Sequence, residues 1–152
     1  MDTIDRKILA ALQADASLSS AELADKVGLS PTPCWRRVQK LEAAGLIRKR
    51  VALLDRDKLH VGTTVFVSIR TRTHSGDWLG RFAAVVQDMP EVVEFYRMSG
   101  DVDYVMKVVV PDIPAYDAFY KRLISKIDLS DVSSSFAMEE IKATTALPLD
   151  YL

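Results

Sequence analysis

A stretch near the start of the chain, "SPTPCWRRVQKLEA", sets polar and charged side chains at helical spacing. At 100° per residue, Thr32, Arg36 and Gln39 gather on one side of a helix, while Cys34 falls on the other. Thr, Arg and Gln carry the hydrogen-bond donors and acceptors that base edges in the major groove of DNA require. The spacing therefore predicts a helix whose outer face suits base recognition.

The neighbours of that face extend the prediction to the DNA backbone. Arg37 and Lys40 flank the face and could reach phosphates. Trp35 lies on the same outer half, where a large aromatic side chain is costly to leave in water. It could pack on a sugar, on a thymine methyl group or on a neighbouring element. A solvated helix face remains the alternative interpretation of the Arg36–Arg37 pair.

Short elements on the N-terminal side would position this helix. The segment "LSSAELADKVGLS" offers Ser19 as an N-cap, Glu22 three residues later as in a capping box, and Gly28 as the helix end. Ser30 then caps the next helix, and the prolines that follow it occupy first-turn positions whose backbone N–H groups lack partners anyway. Two helices joined by so tight a turn predict a helix-turn-helix, with a plain packed helix pair as the alternative.

After Gly45, "LIRKRVALLD" is typical of a strand. Its basic run, residues 48–50, could lie along the DNA backbone as a wing, or could be a solvated run of charges. The predicted DNA-contacting residues are Ser30, Thr32, Trp35, Arg36, Arg37, Gln39, Lys40, Arg48 and Arg50.

Bulk composition allows one domain or two small ones in 152 residues, 49% of them hydrophobic and 27% charged. The net charge of −1 hides a polarity. Residues 1–54 carry nine basic and six acidic side chains, a net +3, whereas residues 55–152 carry 11 and 15, a net −4. Such a division indicates two parts with different partners.

Several classes of protein are disfavoured. A single cysteine, Cys34, excludes an internal disulfide, and with only His60 and His74 beside it a zinc site of the usual ligands is not expected. Cys34 is interpreted as a small buried hydrophobe. No apolar run approaches the roughly 18 residues that a membrane span needs, so a cytoplasmic, nucleoid-associated protein is expected.

From residue 63 the hydrophobic period changes in a definite order: strand, helix, strand, strand, helix, strand. This order predicts a ferredoxin-like βαββαβ sandwich. In the strand "DYVMKVVV" both faces are apolar, and two helices can cover only one side of the sheet, so the other side is expected to pack on a second subunit. The predicted class is α+β: a winged-helix-like helix-turn-helix domain (1–54), linked by a strand and a linker (55–62) to the sandwich domain (63–152).

Two sequence blocks carry a family resemblance. The blocks "LSPTPC-RRV-LE-GLI" and "M-SGD-DY-MKVVVPD" lie at the expected separation, and the whole chain resembles the Lrp/AsnC, or feast/famine, family of transcription regulators. The resemblance implies a second domain that binds an amino acid and dimerises, and dimers that assemble into octamers. No enzymatic activity and no cofactor other than the amino acid effector are expected.

The family's effector site lies between a Gly-Asp turn and the start of the last strand, often at a subunit interface. Asp101 and Asp103 could accept hydrogen bonds from an ammonium group, and the serine run 133–135 could donate to a carboxylate. A plain two-residue hairpin at Gly100 and an ordinary serine-rich loop are the alternatives. The predicted effector-binding residues are Met98, Gly100, Asp101, Asp103, Tyr104, Ser134 and Ser135.

The triple serine, where many relatives carry Thr, and the segment "THSGDW" leave the preferred ligand side chain open. These details and "TPCW" are closest to a branch thought to sense cysteine. Two rival functions remain. An amino-acid-acting enzyme is disfavoured because no nucleophile lies beside a base in a suggestive spacing. An architectural protein that coats DNA without a ligand fits the sequence better.

Overall fold

The computed structural model describes residues 1–72 and 75–151, so His74 lies outside the described residues. These residues form two compact units: Met1–Leu53 together with Lys142–Leu152, and Leu54–Ile141. None of the helices they contain has the length and apolarity needed to cross a lipid bilayer. Nor do they place three or more His, Cys, Asp or Glu side chains together in a way that could hold a metal ion.

The first unit is built from three helices: α1 (Thr3–Ala14), α2 (Ser20–Val27) and α3 (Pro31–Ala43). The predicted capping box of α2 is present, because the Ser19 hydroxyl accepts from the Glu22 N–H and the Glu22 carboxylate accepts from the Ser19 N–H. Gly28 closes α2 with φ of +74°, a left-handed conformation that favours glycine. The predicted helix-turn-helix is confirmed. Its core comprises Ile8, Leu9, Leu23, Ala24, Val27, Cys34, Val38 and Leu41.

The predicted strand after Gly45 is wrong. The chain has no strand between α3 and residue 63, a stretch that lies wholly within the described residues. Isolated strands are unstable because their backbone groups need a neighbouring strand, and no described segment pairs with residues 46–55. Apolar side chains there stay in solvent, with Leu53 72% and Leu54 71% exposed.

The predicted linker 55–62 is an ordered turn of the second unit. The Asp55 carboxylate accepts from the N–H groups of Asp57 and Lys58, and the Val61 N–H donates to the Arg56 carbonyl. Arg56 also donates to the Thr64 hydroxyl and pairs with Glu140, both at 2.6 Å. Side-chain hydrogen bonds therefore hold this segment on the sheet that follows it.

The second unit has the predicted order of elements: β1 (Thr63–Arg70), α4 (Gly76–Gln87), β2 (Val92–Arg97), β3 (Tyr104–Val110), α5 (Ile113–Lys126) and β4 (Asp131–Phe136). All pairings are antiparallel, in the strand order β2-β3-β1-β4. Alternate residues of β3 are buried, and the core centres on Phe82 and Phe119, both fully buried. The predicted α+β class is confirmed.

The face of the sheet opposite this core is partly exposed. Phe66, 43% exposed, lies there between Lys107 of β3 and Ser135 of β4. Lys107 pairs with Glu94 at 3.4 Å. The face therefore combines apolar side chains with an ion pair, and is less apolar than the valines of β3 alone suggested.

The last residues differ from the predicted domain range 63–152. Residues 142–152 belong to the first unit, where Leu149 packs on the helical core. The Gln13 side chain brackets Leu147 by donating to its carbonyl at 3.1 Å and accepting from its N–H at 2.6 Å. The apolar and hydrogen-bonding groups of this segment are thus satisfied by α1, which sequence periodicity could not reveal.

Candidate nucleic-acid interface and effector turn

The outer face of α3 is exposed as predicted. Cys34, Val38 and Leu41 are buried on its inner side, while Thr32, Arg36, Gln39 and Lys40 face solvent. Burial raises the pKa of the Cys34 thiol, so Cys34 stays neutral and packs as an apolar side chain. The helical period thus separates a packed side from a side that presents donors, acceptors and cations.

The start of α3 has the geometry expected of its prolines. Ser30 occupies the N-cap position in an extended conformation, and Pro31 is the first helical residue. The Ser30 hydroxyl makes no capping hydrogen bond within the described residues. The fixed φ of proline therefore replaces side-chain capping here, and the exposed hydroxyl stays available to an outside partner.

Trp35 is 51% exposed beside this face. It lines a cavity in the first unit together with Gln39 and Arg50. A half-exposed indole on a rigid helix supplies flat apolar surface next to polar groups. It can contact a sugar or a thymine methyl group while its inner edge stays on the protein.

Two predicted contact residues share one carboxylate. Glu42 accepts from the Gln39 amide at 3.0 Å and pairs with Arg50 at 2.9 Å. Side chains this exposed gain little from such contacts in water. Gln39 and Arg50 can therefore exchange Glu42 for a nucleic-acid partner at low cost, whereas Arg36, Lys40 and Arg48 make no ion pair within the described residues.

Arg37 is held differently. Its Nη1 donates to Asp2 at 2.7 Å and to Asp5 at 2.8 Å. The two aspartates also form the capping box of α1, each carboxylate accepting from the backbone N–H of the other residue. These backbone hydrogen bonds, and then the guanidinium, hold the pKa of both carboxyls below its usual range. Hydrogen bonding to Asp2 and Asp5 in turn raises the pKa of Arg37.

In the second unit, the predicted effector turn is a tight hairpin between β2 and β3. Gly100 has φ of +118°, which a side chain would strain, and the Met98 N–H donates to the Asp103 carbonyl at 2.8 Å. Met98 is 46% exposed. The Asp101 carboxylate is exposed and has no partner within residues 1–72 and 75–151, so it can accept from a ligand ammonium group.

The Asp103 carboxylate already has a structural role. It accepts from the Thr71 N–H at 2.8 Å, while the Asp103 N–H donates to the Ile69 carbonyl at 3.0 Å. Arg70 braces the same turn by donating to the Asp101 carbonyl at 2.8 Å and pairing with Asp131 at 3.3 Å. Arg70 was missed by the sequence analysis, since its contacts depend on how the strands pair.

Tyr104 does not line the turn's surface. It is 3% exposed in the core, where its ring lies 5.5 Å from Phe82, 5.7 Å from Phe95 and 5.8 Å from Trp78. The reason is strand alternation: Tyr104 shares its face with Met106 and Val108, beneath the helices. Tyr104 is therefore a packing residue in this structure.

The two predicted serines point to opposite faces of β4. Ser135 pairs with Phe66 on the open face, whereas the Ser134 hydroxyl hydrogen-bonds the Tyr116 hydroxyl beneath α5. Burial raises the pKa of Tyr116, which stays a neutral phenol. One carboxylate could not bind both serines from one side. Of the predicted set, Met98, Gly100, Asp101, Ser134 and Ser135 are exposed, Asp103 is half-buried and Tyr104 is buried.

Known families account for both units. Residues 1–48 match a winged helix-turn-helix DNA-binding domain, and residues 64–147 match an Lrp/AsnC ligand-binding domain. The chain belongs to the Lrp/AsnC family. The resemblance drawn from the two sequence blocks is thus confirmed, and this Lrp/AsnC protein is a DNA-binding transcriptional regulator with a ligand-binding domain.

Relatives of this Lrp/AsnC regulator match over almost its whole length. The DNA-binding transcriptional activator DecR of Escherichia coli K12 is 53% identical, over 99% of both chains. The glutamate uptake regulatory protein of Zymomonas mobilis is 52% identical, over 98% of this chain and 91% of its own.

Solved structures agree. An AsnC family transcriptional regulator from Agrobacterium tumefaciens has a TM-score of 0.98 at 68% identity, over 100% of this chain and 99% of its own. A transcriptional regulator of Neisseria meningitidis, solved as a complex with L-Met, has a TM-score of 0.95 at 38% identity, over 99% and 98%.

Proposed function

We propose that this regulator reads DNA with the outer face of α3 and responds to a small amino acid bound beside the Gly100–Asp101 turn. The observation that carries the effector assignment is the exposed Asp101 carboxylate, which has no partner among the described residues, on a turn fixed by Gly100 and braced by Arg70. The L-Met complex of the Neisseria relative supports an amino acid as the ligand class.

The ligand's ammonium group would bind Asp101, and its carboxylate would need donors nearby. Exposed backbone N–H groups of the turn are of the right chemistry. Ser135 lies four residues along β4 from Asp131, which pairs with Arg70 beside the turn, so it lies roughly 13 Å along the sheet, too far for one amino acid to bridge it and Asp101 of the same subunit. Asp103 contributes by holding the turn in shape, because one of its carboxylate oxygens accepts from the Thr71 N–H, and the carboxylate keeps capacity to accept from the ligand as well. We keep cysteine as the first ligand to test, and no catalytic activity is part of the proposal.

The assembly we propose is a dimer through the open face of the sheet around Phe66, with dimers associating into octamers. The exposed apolar area there supports it, since the helices α4 and α5 cover only the other face. In a two-fold symmetric dimer, the two α3 helices would contact DNA half-sites roughly 34 Å apart, so an imperfectly palindromic operator is expected. We place this activity in the cytoplasm, on nucleoid DNA.

Thermal unfolding of the purified protein against each of the twenty amino acids at millimolar concentration tests the effector. A ligand at about 100 times its Kd should stabilise the fold by roughly 2.7 kcal/mol, a shift of several degrees. Asp101→Asn should abolish the shift without lowering the melting temperature of the free protein, and Asp77→Asn, on α4, is the matched control.

Two outcomes would count against the proposal. A shift that persists in Asp101→Asn would place the ligand elsewhere. No shift with any amino acid, together with retained condensation of DNA, would favour an architectural protein without a ligand.

A further inference from the structure

Arg37 differs from the other cations of α3 in being paired within its own unit. Arg36 and Lys40 are exposed, whereas the Arg37 side chain is 35% exposed and its Nη1 bridges Asp2 and Asp5. All five side chains line one open cleft beside the start of α1. The cleft thus contains three cationic side chains, one of which is already neutralised by two carboxylates.

We infer that Arg37 is a positioning residue rather than a phosphate contact: it holds the start of α1 against α3 and shields two carboxylates from the DNA. The inference rests on the proposed use of α3 as the DNA-facing helix. If Arg37 turned to a phosphate, Asp2 and Asp5 would remain beside that phosphate without their counter-charge, and like charges at such distances repel.

The burial of Asp5 makes the exchange costly. Its side chain is only 18% exposed, against 54% for Asp2. A partly buried carboxylate is poorly solvated by water and depends on its protein partners. The Asp5 carboxylate accepts from the Asp2 N–H, which is fixed by the backbone, and from the Arg37 side chain. Of these two partners, only Arg37 could turn away.

The consequence concerns specificity. Affinity from phosphate contacts is largely independent of sequence, so a cation withheld from phosphates lowers binding to unrelated DNA more than it affects base reading by Arg36. The cluster of Arg37, Asp2 and Asp5 therefore restrains non-specific binding while it fixes the orientation of the helix that reads bases.

The salt dependence of binding separates the two roles. Each phosphate contact contributes about −0.9 to the slope of log Kobs against log salt concentration. We would measure this slope with the full chain on two duplexes of equal length, one selected by the protein from a random library and one scrambled. The proteins compared are the wild type, three single variants (Arg36→Gln, Arg37→Gln and Arg37→Lys), the double variant Asp2→Asn/Asp5→Asn, and the triple variant that adds Arg37→Gln to this double variant.

Arg37→Gln should keep the wild-type slope but lower the ratio of the affinity for the selected duplex to that for the scrambled duplex. Arg37→Lys should restore this ratio, because one ammonium nitrogen can also bridge two carboxylates. Asp2→Asn/Asp5→Asn should steepen the slope by about 0.9 on both duplexes by releasing Arg37. Adding Arg37→Gln to that pair should return the slope to that of the wild type. Asn caps helices about as well as Asp, so α1 should persist.

A control removes two negative charges elsewhere in the same unit, as Asp25→Asn/Asp150→Asn, and should leave the slope unchanged. Two results overturn the inference: a slope in Arg37→Gln that flattens by about 0.9, or an Asn pair whose slope does not steepen. If Arg36→Gln leaves binding to the selected duplex intact, the DNA-facing role of α3 fails and the inference fails with it. If the slope flattens in Arg37→Gln while Arg36→Gln still weakens binding to the selected duplex, the inference is overturned but the proposed function stands.

Discussion

The outer face of α3 and the hairpin between β2 and β3 differ in how their predicted side chains are placed. On α3, Thr32, Arg36 and Gln39 lie on one exposed side, opposite buried Cys34. Near the hairpin, Asp101 is exposed, but Tyr104 is in the core and Ser134 is bonded beneath α5. A helix brings residues three or four apart to one face by its own geometry, whereas a functional surface on a sheet depends on strand pairing.

The largest expected effect comes from a substitution in the core of the second unit, which supports the hairpin but not α3. Phe119→Ala deletes a fully buried ring in the core of the second unit and should lower the free energy of unfolding by about 3–5 kcal/mol. Ile113→Ala, on the same helix but 66% exposed, should change it by less than about 0.5 kcal/mol. Denaturant unfolding followed by circular dichroism measures both, and equal losses would contradict the assigned core.

A second test addresses the face of α3 directly. Arg36→Ala should weaken binding to the selected duplex by about 1–3 kcal/mol, roughly tenfold or more, because a base or phosphate contact is lost. Lys7→Ala removes an exposed cation from α1 and should have little effect. Fluorescence anisotropy at fixed salt measures both. Unchanged affinity in Arg36→Ala would mean that the exposed face of α3 is only a solvated surface.

A smaller effect sharpens the contrast between the two aspartates of the hairpin. Asp103→Ala removes the hydrogen bond that the Asp103 carboxylate accepts from the Thr71 N–H and should cost about 1–2 kcal/mol of stability. Asp101→Ala should be nearly neutral in the free protein. Thermal unfolding without ligand compares them, and equal costs would show that Asp101 also has a structural role.

The smallest effect depends on pH and concerns the first unit. Hydrogen bonds to Asp2, Asp5, Asp15 and Glu22 lower the pKa of each carboxyl in the folded protein. Their contribution to stability is therefore fully present above the ordinary carboxyl range, near pH 4, and is lost as the pH falls through the lowered values. Melting temperatures from pH 7 to pH 3 should decline less steeply in Glu22→Gln; an identical decline would contradict a role for this capping box.

Local chemistry predicted much of the first unit from sequence. Ser19, Glu22 and Gly28 mark helix ends through contacts within four residues, so the helix-turn-helix could be placed without knowing its surroundings. The strand after Gly45 could not be judged in this way, because a strand needs a partner that the described chain does not supply.

Longer-range pairing explains the remaining differences. Whether Ser134 or Ser135 faces the helices depends on the register of β4 against β1, where Phe66 meets Ser135. The bracing of the hairpin by Arg70 and the clamp of Asp2 and Asp5 on Arg37 join residues about 30 apart in sequence. No pattern within a window of 10 to 20 residues contains such contacts.

The return of residues 142–152 to the first unit has a consequence for synthesis. The helices of the DNA-binding unit emerge first from the ribosome and can form their own core at once. The Leu149 contact and the two hydrogen bonds between Gln13 and Leu147 must wait until the whole second unit has been translated. The part of the regulator that is made first is thus the last to be completed.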